Sequence, residues 1–581
     1  KRKTMKNKYL LLAILTGSIS LTGCEDFLDQ KNTHDLNQET FFDSDAAVQA
    51  ATAPLYNYVW NEFNDKFYYG MGDGRANNIT APYSAYVYPY TNFSETALSD
   101  GLSSAWNSLY SVVAQANNTI NNILDFAGNG VSEQGKNTGV AEARFMRGTA
   151  YWYIASLWGE GIIYTNTSSM VNNYVIPANP GIDMMEFAIR DLEFAAKYLP
   201  KVQSNQGRVT QYSAYGMLSR LYLSMAGLTT EGAYDGTNAA TDFNRGTRNP
   251  YYLDLARKAA LKVIEESGMS LTKNYGDLFA AASINNNPES LFQLQWLQGT
   301  SEAVGGCGNT MVRFLAWSTM VADTDAWGGA TYCSWDLWNE FKKYEDPTLG
   351  TTVDDAVRRH YSVASYGEVY PDINIKNNGY TYGITETPGN EGANIKKYVI
   401  GTNADNGISF KGSAGINTYM MRLAEVYLNY TEAVLGNNAS TEDTEYFNLV
   451  RERANVPQKT TVTYEDLRHE FRVEFAFEGL YWYNLLRRSY YEQNEVLNYV
   501  NNQNRNAGYS YDKEEEIYEI SDSYEAPGKG VAEATVRSLK LPIADTDQSK
   551  NPHLKPDGNG NLQTTPYVFG EREVSIDELF N

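Results

Sequence analysis

A chain of 581 residues, 42% apolar and 20% charged, has ample material for a large core and exceeds the size at which chains divide into domains. Its net charge of −23 repels nucleic acid and anionic lipid, and four His with three Cys exclude a disulfide framework and a Cys/His zinc cluster. What stands out is aromatic content: 45 Tyr, 22 Phe and 10 Trp.

The chain opens on a basic segment ending Lys6-Asn7-Lys8, followed by an apolar run, Tyr9–Ile19. That run is about half of the ~20 residues a bilayer-spanning helix needs, so it reads as an export signal. The segment closes on Leu21-Thr22-Gly23-Cys24, which resembles the bacterial lipoprotein box. Residues 1–23 are expected to be removed, with Cys24 acylated, palmitate among the chains. Several acyl chains anchor stably where one is marginal. Residues 24–40 form the lipid-anchored linker.

Phe41–Trp60 reads as a helix started by Asp43 or Ser44. Residues 61–101 lose helical period and are rich in Tyr, Asn and Gly, as long functional loops are. Helical patterns resume over Trp106–Phe126, Ala141–Trp158, Asp183–Tyr198 (capped at Asp183), Gln211–Ala226 and Leu253–Ser267. Their spacing is loosely that of tetratricopeptide units. Ser290–Trp296 alternates like a strand, and 297–415 is mostly loop. Thr418–Leu435 and Glu442–Ala454 read as helices. Residues 500–530 read as polar loop, and Leu541–Leu554 as a terminal strand and turn.

Tyr464–Arg488 is the longest charged amphipathic pattern. Glu470, Glu474 and Glu478 form a row one turn apart. Three like charges so placed repel, so guanidinium partners are expected from elsewhere, with Arg422, Arg451 and Arg453 as candidates. Gly479 interrupts the pattern before Tyr481-Trp482-Tyr483.

No catalytic set emerges: there is no nucleophile elbow and no phosphate-binding loop. The Glu row with His469 lacks the second facing motif a di-metal bundle needs. Asp557-Gly558-Asn559-Gly560-Asn561 departs from a calcium loop at Leu562 and reads as a turn. No metal or cofactor is expected. Cys307 and Cys333 could pair in an oxidising exterior.

Binding is better supported. Sugars present apolar C–H faces flanked by hydroxyls, which suit aromatic platforms beside polar side chains. Asp73–Phe93 offers that mix: Asp73, Arg75, Asn77, Asn78 and Tyr83, with Tyr86, Tyr88 and Tyr90 sharing one face if extended. Trp296, Trp317 and Trp327 on Gly-rich loops are a second set. Trp335 and Trp338 read as core of a short helix, and Trp106, Trp152, Trp158 and Trp482 as helix core.

Several segments together resemble the SusD/RagB family of outer-membrane nutrient-binding lipoproteins. Cys24-Glu25-Asp26-Phe27-Leu28-Asp29 looks like its mature N-terminus. Glu142-Ala143-Arg144-Phe145 to Gly159, Gly207-Arg208-Val209-Thr210 with Ala214 and Arg220, and Arg422-Leu423-Ala424-Glu425-Val426-Tyr427-Leu428 resemble its helix blocks. So do Val450-Arg451-Glu452-Arg453-Ala454, the 464–488 stretch, and Leu541-Pro542-Ile543 with Asn551-Pro552 and Leu554. The departures are Tyr483-Asn484 and a tail after Leu554 without the usual ending.

The resemblance implies a mainly α fold: a tetratricopeptide-like helical-repeat scaffold with a loop-rich, mixed α/short-β ligand-binding half. It divides the chain into an N-terminal helical region, 41–289, and a C-terminal region, 290–581, with helices over 418–490. It implies surface capture of a glycan and delivery to a TonB-dependent, SusC-like transporter. The protein would sit on the outer membrane by its lipid alone, facing the exterior. A peptide-binding member of the family, a surface hydrolase and a scaffold without small ligand are the alternatives.

Overall fold

The computed structural model describes residues 41–81, 84–297, 307–316, 320, 331–346, 351–375, 378–383, 392–401, 409–410, 413–505, 507–520, 531–558 and 560–581. The signal and linker, Cys24, Tyr83, Trp317 and Trp327 lie outside them. The chain is mainly helical with short strands.

Helix α1 (Asp45–Thr52) starts where the Ala47 N–H donates to the Ser44 hydroxyl, satisfying one donor that every helix start leaves open. Pro54 supplies no N–H, and the chain tightens into 3-10 turns, Ala53–Tyr56 and Tyr58–Trp60. The helix expected over Phe41–Trp60 is therefore broken in its middle. Helices α2 (Leu102–Phe126), α3 (Glu133–Trp158), α4 (Gly181–Tyr198), α5 (Gln211–Leu228) and α6 (Pro250–Glu266) follow. Each packs on the one before, and α7 (Leu423–Leu435) continues the stack against α6, as a solenoid requires. At Gly148 a Cβ would meet the Ala188 carbonyl at 2.9 Å, so α3 and α4 approach closely there. Helix α4 starts two residues before Asp183, at the Pro180 cap. Asp183 instead accepts from the Tyr234 hydroxyl at 2.7 Å and the Tyr567 N–H at 2.8 Å.

Short strands β1 (Ile79–Thr80), β3 (Tyr332–Cys333), β4 (Val363–Ala364) and β5 (Asn394–Ile395) form an antiparallel sheet, ordered β1-β3-β5-β4. Strand β2 (Ser290–Leu294) pairs antiparallel with β6 (Thr418–Arg422), in a register that runs from Leu294 opposite Thr418 to Ser290 opposite Arg422. The helix expected from Thr418 thus begins only at Leu423, because every residue of β6 is buried and its sequence carries no alternation to mark a strand. A hairpin, Tyr509–Asp512 with Ile517–Ile520, replaces part of the loop expected over 500–530. The strand expected near Leu541 is absent: Asp545–Lys550 is a short helix and Pro552–Leu554 a 3-10 turn.

The C-terminal tail then crosses back over the helical half. The Thr565 N–H donates to the Ala178 carbonyl at 2.8 Å. Arg572 pairs with Glu186 at 2.6 Å and with Glu193, and Glu573 with Arg144 at 2.6 Å. Lys197 pairs with Glu578 at 2.8 Å, and the Tyr215 hydroxyl donates to the Leu579 carbonyl at 2.8 Å. A continuous buried apolar cluster runs from Phe42 to Leu579. Among the described residues, no helix is long and apolar enough to cross a membrane.

Candidate ligand-binding surface

Residues 61–101 are not an extended loop. Phe63–Phe67 and Gly70–Gly74 form wide π turns, and Tyr88–Thr91 is a helical turn with Pro89 in its first positions. Their five-residue hydrogen-bond spacing matches neither strand nor α-helix period. Asp73 is buried and accepts N–H groups from Phe477 (2.8 Å) and Gly479 (2.6 Å) and from the Asn78 amide (2.9 Å). Burial pushes its carboxyl up to about 6, against these hydrogen bonds. Arg472 donates to Asn78 Oδ1 at 2.9 Å and to the Asn77 carbonyl at 3.0 Å. Arg75 donates to Glu95 at 2.7 Å and lies over the Phe93 and Trp482 rings at 5.0 and 5.1 Å. The Trp296 indole N–H donates to Thr418 Oγ1 at 3.0 Å, deep beside β6. Asp73, Arg75, Asn77, Asn78 and Trp296 therefore brace the interior; the expectation that they face a ligand is corrected by their burial.

Tyr86, Tyr88 and Tyr90 do not share a face. Tyr90 is buried, with its hydroxyl on the Asp100 carbonyl at 2.5 Å, and Tyr88 is half-buried. Tyr86 is 39% exposed. The Lys66 ammonium sits 4.5 Å from the Tyr86 ring centre and 4.9 Å from that of Phe314. The same ammonium pairs with Asp65 at 2.6 Å, and the Thr310 hydroxyl donates to Asp65. One cation thus draws together the two stretches marked out as ligand-bearing, 73–93 and 296–327. The grouping offers two ring faces for sugar C–H surfaces, with an ammonium and a carboxylate for hydroxyls. Asp65, Lys66, Thr310 and Phe314 were not anticipated. A signal existed: Lys66 and Arg75 are the two cations of residues 61–101.

The Glu row of helix α8 (Tyr464–Glu474) and the turn after it is a sealed ion-pair network. Glu470 pairs with Arg358 (2.5 Å) and Arg451 (2.8 Å). Glu474 pairs with Arg358 (3.0 Å), Arg422 (2.6 Å) and Arg453. Glu478 pairs with Arg422 (2.8 Å) and Lys397 (2.9 Å), and Glu289 with Arg422 and Arg453. Burial acts to raise the Glu474 carboxyl, but Arg453, Arg422 and Arg358 outweigh it and hold it well below the usual carboxylate range. Burial lowers the Lys397 ammonium to about 8. The three anticipated arginines are all partners, joined by Arg358 and Lys397. Among the described residues, no group of His, Cys, Asp and Glu is arranged to hold a metal ion. Cys333 is a buried free thiol, so it does not pair with Cys307.

Known proteins resemble this chain over its whole length. The SusD family pattern matches residues 288–559, and a family described as starch-binding, associating with the outer membrane, matches residues 26–223. A SusD-like protein of Bacteroides ovatus is 36% identical across 98% of this chain and 99% of its own. The starch-binding protein SusD of Bacteroides thetaiotaomicron is 25% identical over 61% of this chain and 65% of its own. A crystal structure with xylogluco-oligosaccharide is 34% identical, with a TM-score of 0.77, covering 90% of this chain and all (100%) of that one. A SusD superfamily protein of Bacteroides vulgatus shares the fold at 19% identity and a TM-score of 0.65, covering 88% of this chain and 98% of its own.

Proposed function

Because this chain belongs to the SusD family, we propose that it captures a glycan at the cell surface and delivers it to a TonB-dependent outer-membrane transporter, without cleaving it. The observation that carries the reading is the grouping of exposed Tyr86 and half-buried Phe314 around Lys66. An exposed ring with a half-buried one beside it suits stacking on a pyranose face, and the adjoining ion pair suits hydroxyl recognition. The solved relative with xylogluco-oligosaccharide supports a glycan as the ligand class, and a lipid anchor at Cys24 would hold the site outside the cell. The Glu row, the richest cluster of carboxylates, is fully engaged by guanidinium groups, which leaves it no free acid and base pair for hydrolysis.

The test is calorimetric titration of the purified chain against a broad oligosaccharide panel. Binding in the ~µM–mM range, about −4 to −8 kcal/mol, is expected for an open aromatic site. Tyr86→Ala should weaken it about tenfold with the circular dichroism unchanged. Failure of every glycan, with a peptide mixture raising the melting temperature, would reject the reading in favour of peptide capture. Release of new reducing ends would make the protein a hydrolase. Co-purification of a barrel protein from outer membranes, lost when Cys24 is replaced, tests the delivery step.

A further inference from the structure

A second concave region lies away from the Tyr86 surface and shares none of its residues. A cleft of 520 Å³ opens between the end of α3 and the 533–562 segment. That volume is in the range of small-ligand sites. Phe93, Trp158, Leu541 and Leu554 contribute apolar wall. Trp158 is fixed there, its indole N–H donating to the Pro542 carbonyl at 3.2 Å. Glu160 and Lys540 pair across one end, where the cleft meets an apolar chamber of 420 Å³.

One group in this cleft lacks a partner. The Glu95 side chain is 6% exposed, and its Oε1 accepts from Arg75 at 2.7 Å. Its Oε2 is buried and has no hydrogen-bond donor. A buried carboxylate oxygen without a donor is rare, because it has lost water and gained nothing. Arg75 also donates to the carbonyl of Ser538, another wall residue, so the carboxylate is held in place from behind. Arg75, expected to meet ligand itself, instead positions the group that would.

We propose that this cleft is a second binding site, for a neutral sugar of one or two rings whose hydroxyl donates to Glu95 Oε2. The cleft carries charges of both signs, Glu95, Glu160 and Glu533 with Arg537 and Lys540, and Lys540 is paired with Glu160, so no single-signed field draws in a charged ligand. A hydroxylated ring carries the missing donor, and its C–H groups suit the apolar wall. The site does not depend on the Tyr86 surface and stands or falls separately from it.

The test uses the full chain with Tyr86→Ala and Phe314→Ala combined, so that the first surface is disabled. Saturation-transfer NMR is recorded with cellobiose, maltose, xylobiose, mannobiose and lactose. At least one should receive saturation. Asn561→Trp, at the exposed mouth, should block it, and Glu95→Gln should weaken it at least fivefold. If Glu95→Gln does not fold, Asn561→Trp alone decides. Transfer to none of the five sugars overturns the proposal. So does transfer that Asn561→Trp leaves intact, or chemical-shift changes elicited by glucuronate or lysine amide in place of the neutral sugars.

Discussion

The Asp73 carboxylate accepts the Gly479 N–H at 2.6 Å across 406 residues of sequence. The turn it holds carries left-handed φ angles at Phe477 (64°) and Gly479 (65°). A Cβ added at Gly72 would meet the Gly479 carbonyl carbon at 2.0 Å, so both segments are glycine at their crossing. Asp73→Ala would leave three buried donors, the Phe477 and Gly479 N–H groups and the Asn78 amide, without this acceptor, at about 1–3 kcal/mol each. Chemical denaturation of the two proteins checks the size of the loss.

The same carboxyl makes stability depend on pH with a definite sign. Its folded value, about 6, lies above the ordinary one, so the folded state binds the proton more tightly. Wild type should gain on Asp73→Asn as pH falls from about 6 toward 4, by at most about 1.4 kcal/mol per pH unit. Unfolding free energies of both chains across pH 7.5–4.5 give the difference. A flat difference would show that the carboxyl does not titrate in this window.

The buried network around Glu474 should fail as a unit. Glu474→Gln leaves Arg422, Arg453 and Arg358 facing a neutral group, and breaking a buried pair typically costs about 3–5 kcal/mol. The denaturation midpoint should drop accordingly, while the fraction that remains folded binds glycan as wild type does. Loss of binding at unchanged stability would place the ligand at the Glu row instead.

How far the sequence revealed these arrangements depends on the range of the interaction. Arg422, Arg451 and Arg453 could be anticipated as partners of the Glu row because all sit in helix-like blocks near it in sequence. Arg358 and Lys397 could not, since they come from the aperiodic 297–415 region and meet the row only in the folded state. Tyr86, Tyr88 and Tyr90 looked like one strand face, yet Pro89 sits in the first turn of a helix and turns them apart. Polar residues such as Asn77 and Asn78 read as surface because nothing local tells that Arg472 will cover them.

Lys66→Met removes the cation between Tyr86 and Phe314. Glycan affinity should fall several-fold, in line with about 0.5–1 kcal/mol for an exposed cation–π contact. Stability should fall modestly too, because the Lys66 side chain is only 24% exposed and Asp65 loses its paired cation. Titration of the variant at low and high salt measures the effect; unchanged affinity would remove Lys66 from the site.

Arg572 stands beside two buried acids, Glu186 and Glu193. Burial pushes the Glu193 carboxyl up to about 7 even with Arg572 in place. In Arg572→Met the two acids lose a shared cation, so the variant should be least stable, relative to wild type, above pH 8. The gap should narrow toward pH 5 as Glu193 takes up a proton. Melting curves at both pH values decide, and a gap that widens on acidification would contradict the assignment.

Cys333 offers a reporter for global opening. Burial raises its thiol far above the ordinary value, so little thiolate forms in the native state. Iodoacetamide should leave Cys333 unmodified until denaturant unfolds the chain, as peptide mass mapping would show. Modification of native protein would reveal local opening of the sheet at β3.

The tail that ends at Asn581 closes contacts with Arg144, Glu186 and Lys197 made by helices more than three hundred residues upstream. A growing chain displays those helices long before the residues that complete them exist. The helical half therefore lacks these contacts until the tail is made, and the closures join distant segments, which slows them. Those closures wait on residues 572–579.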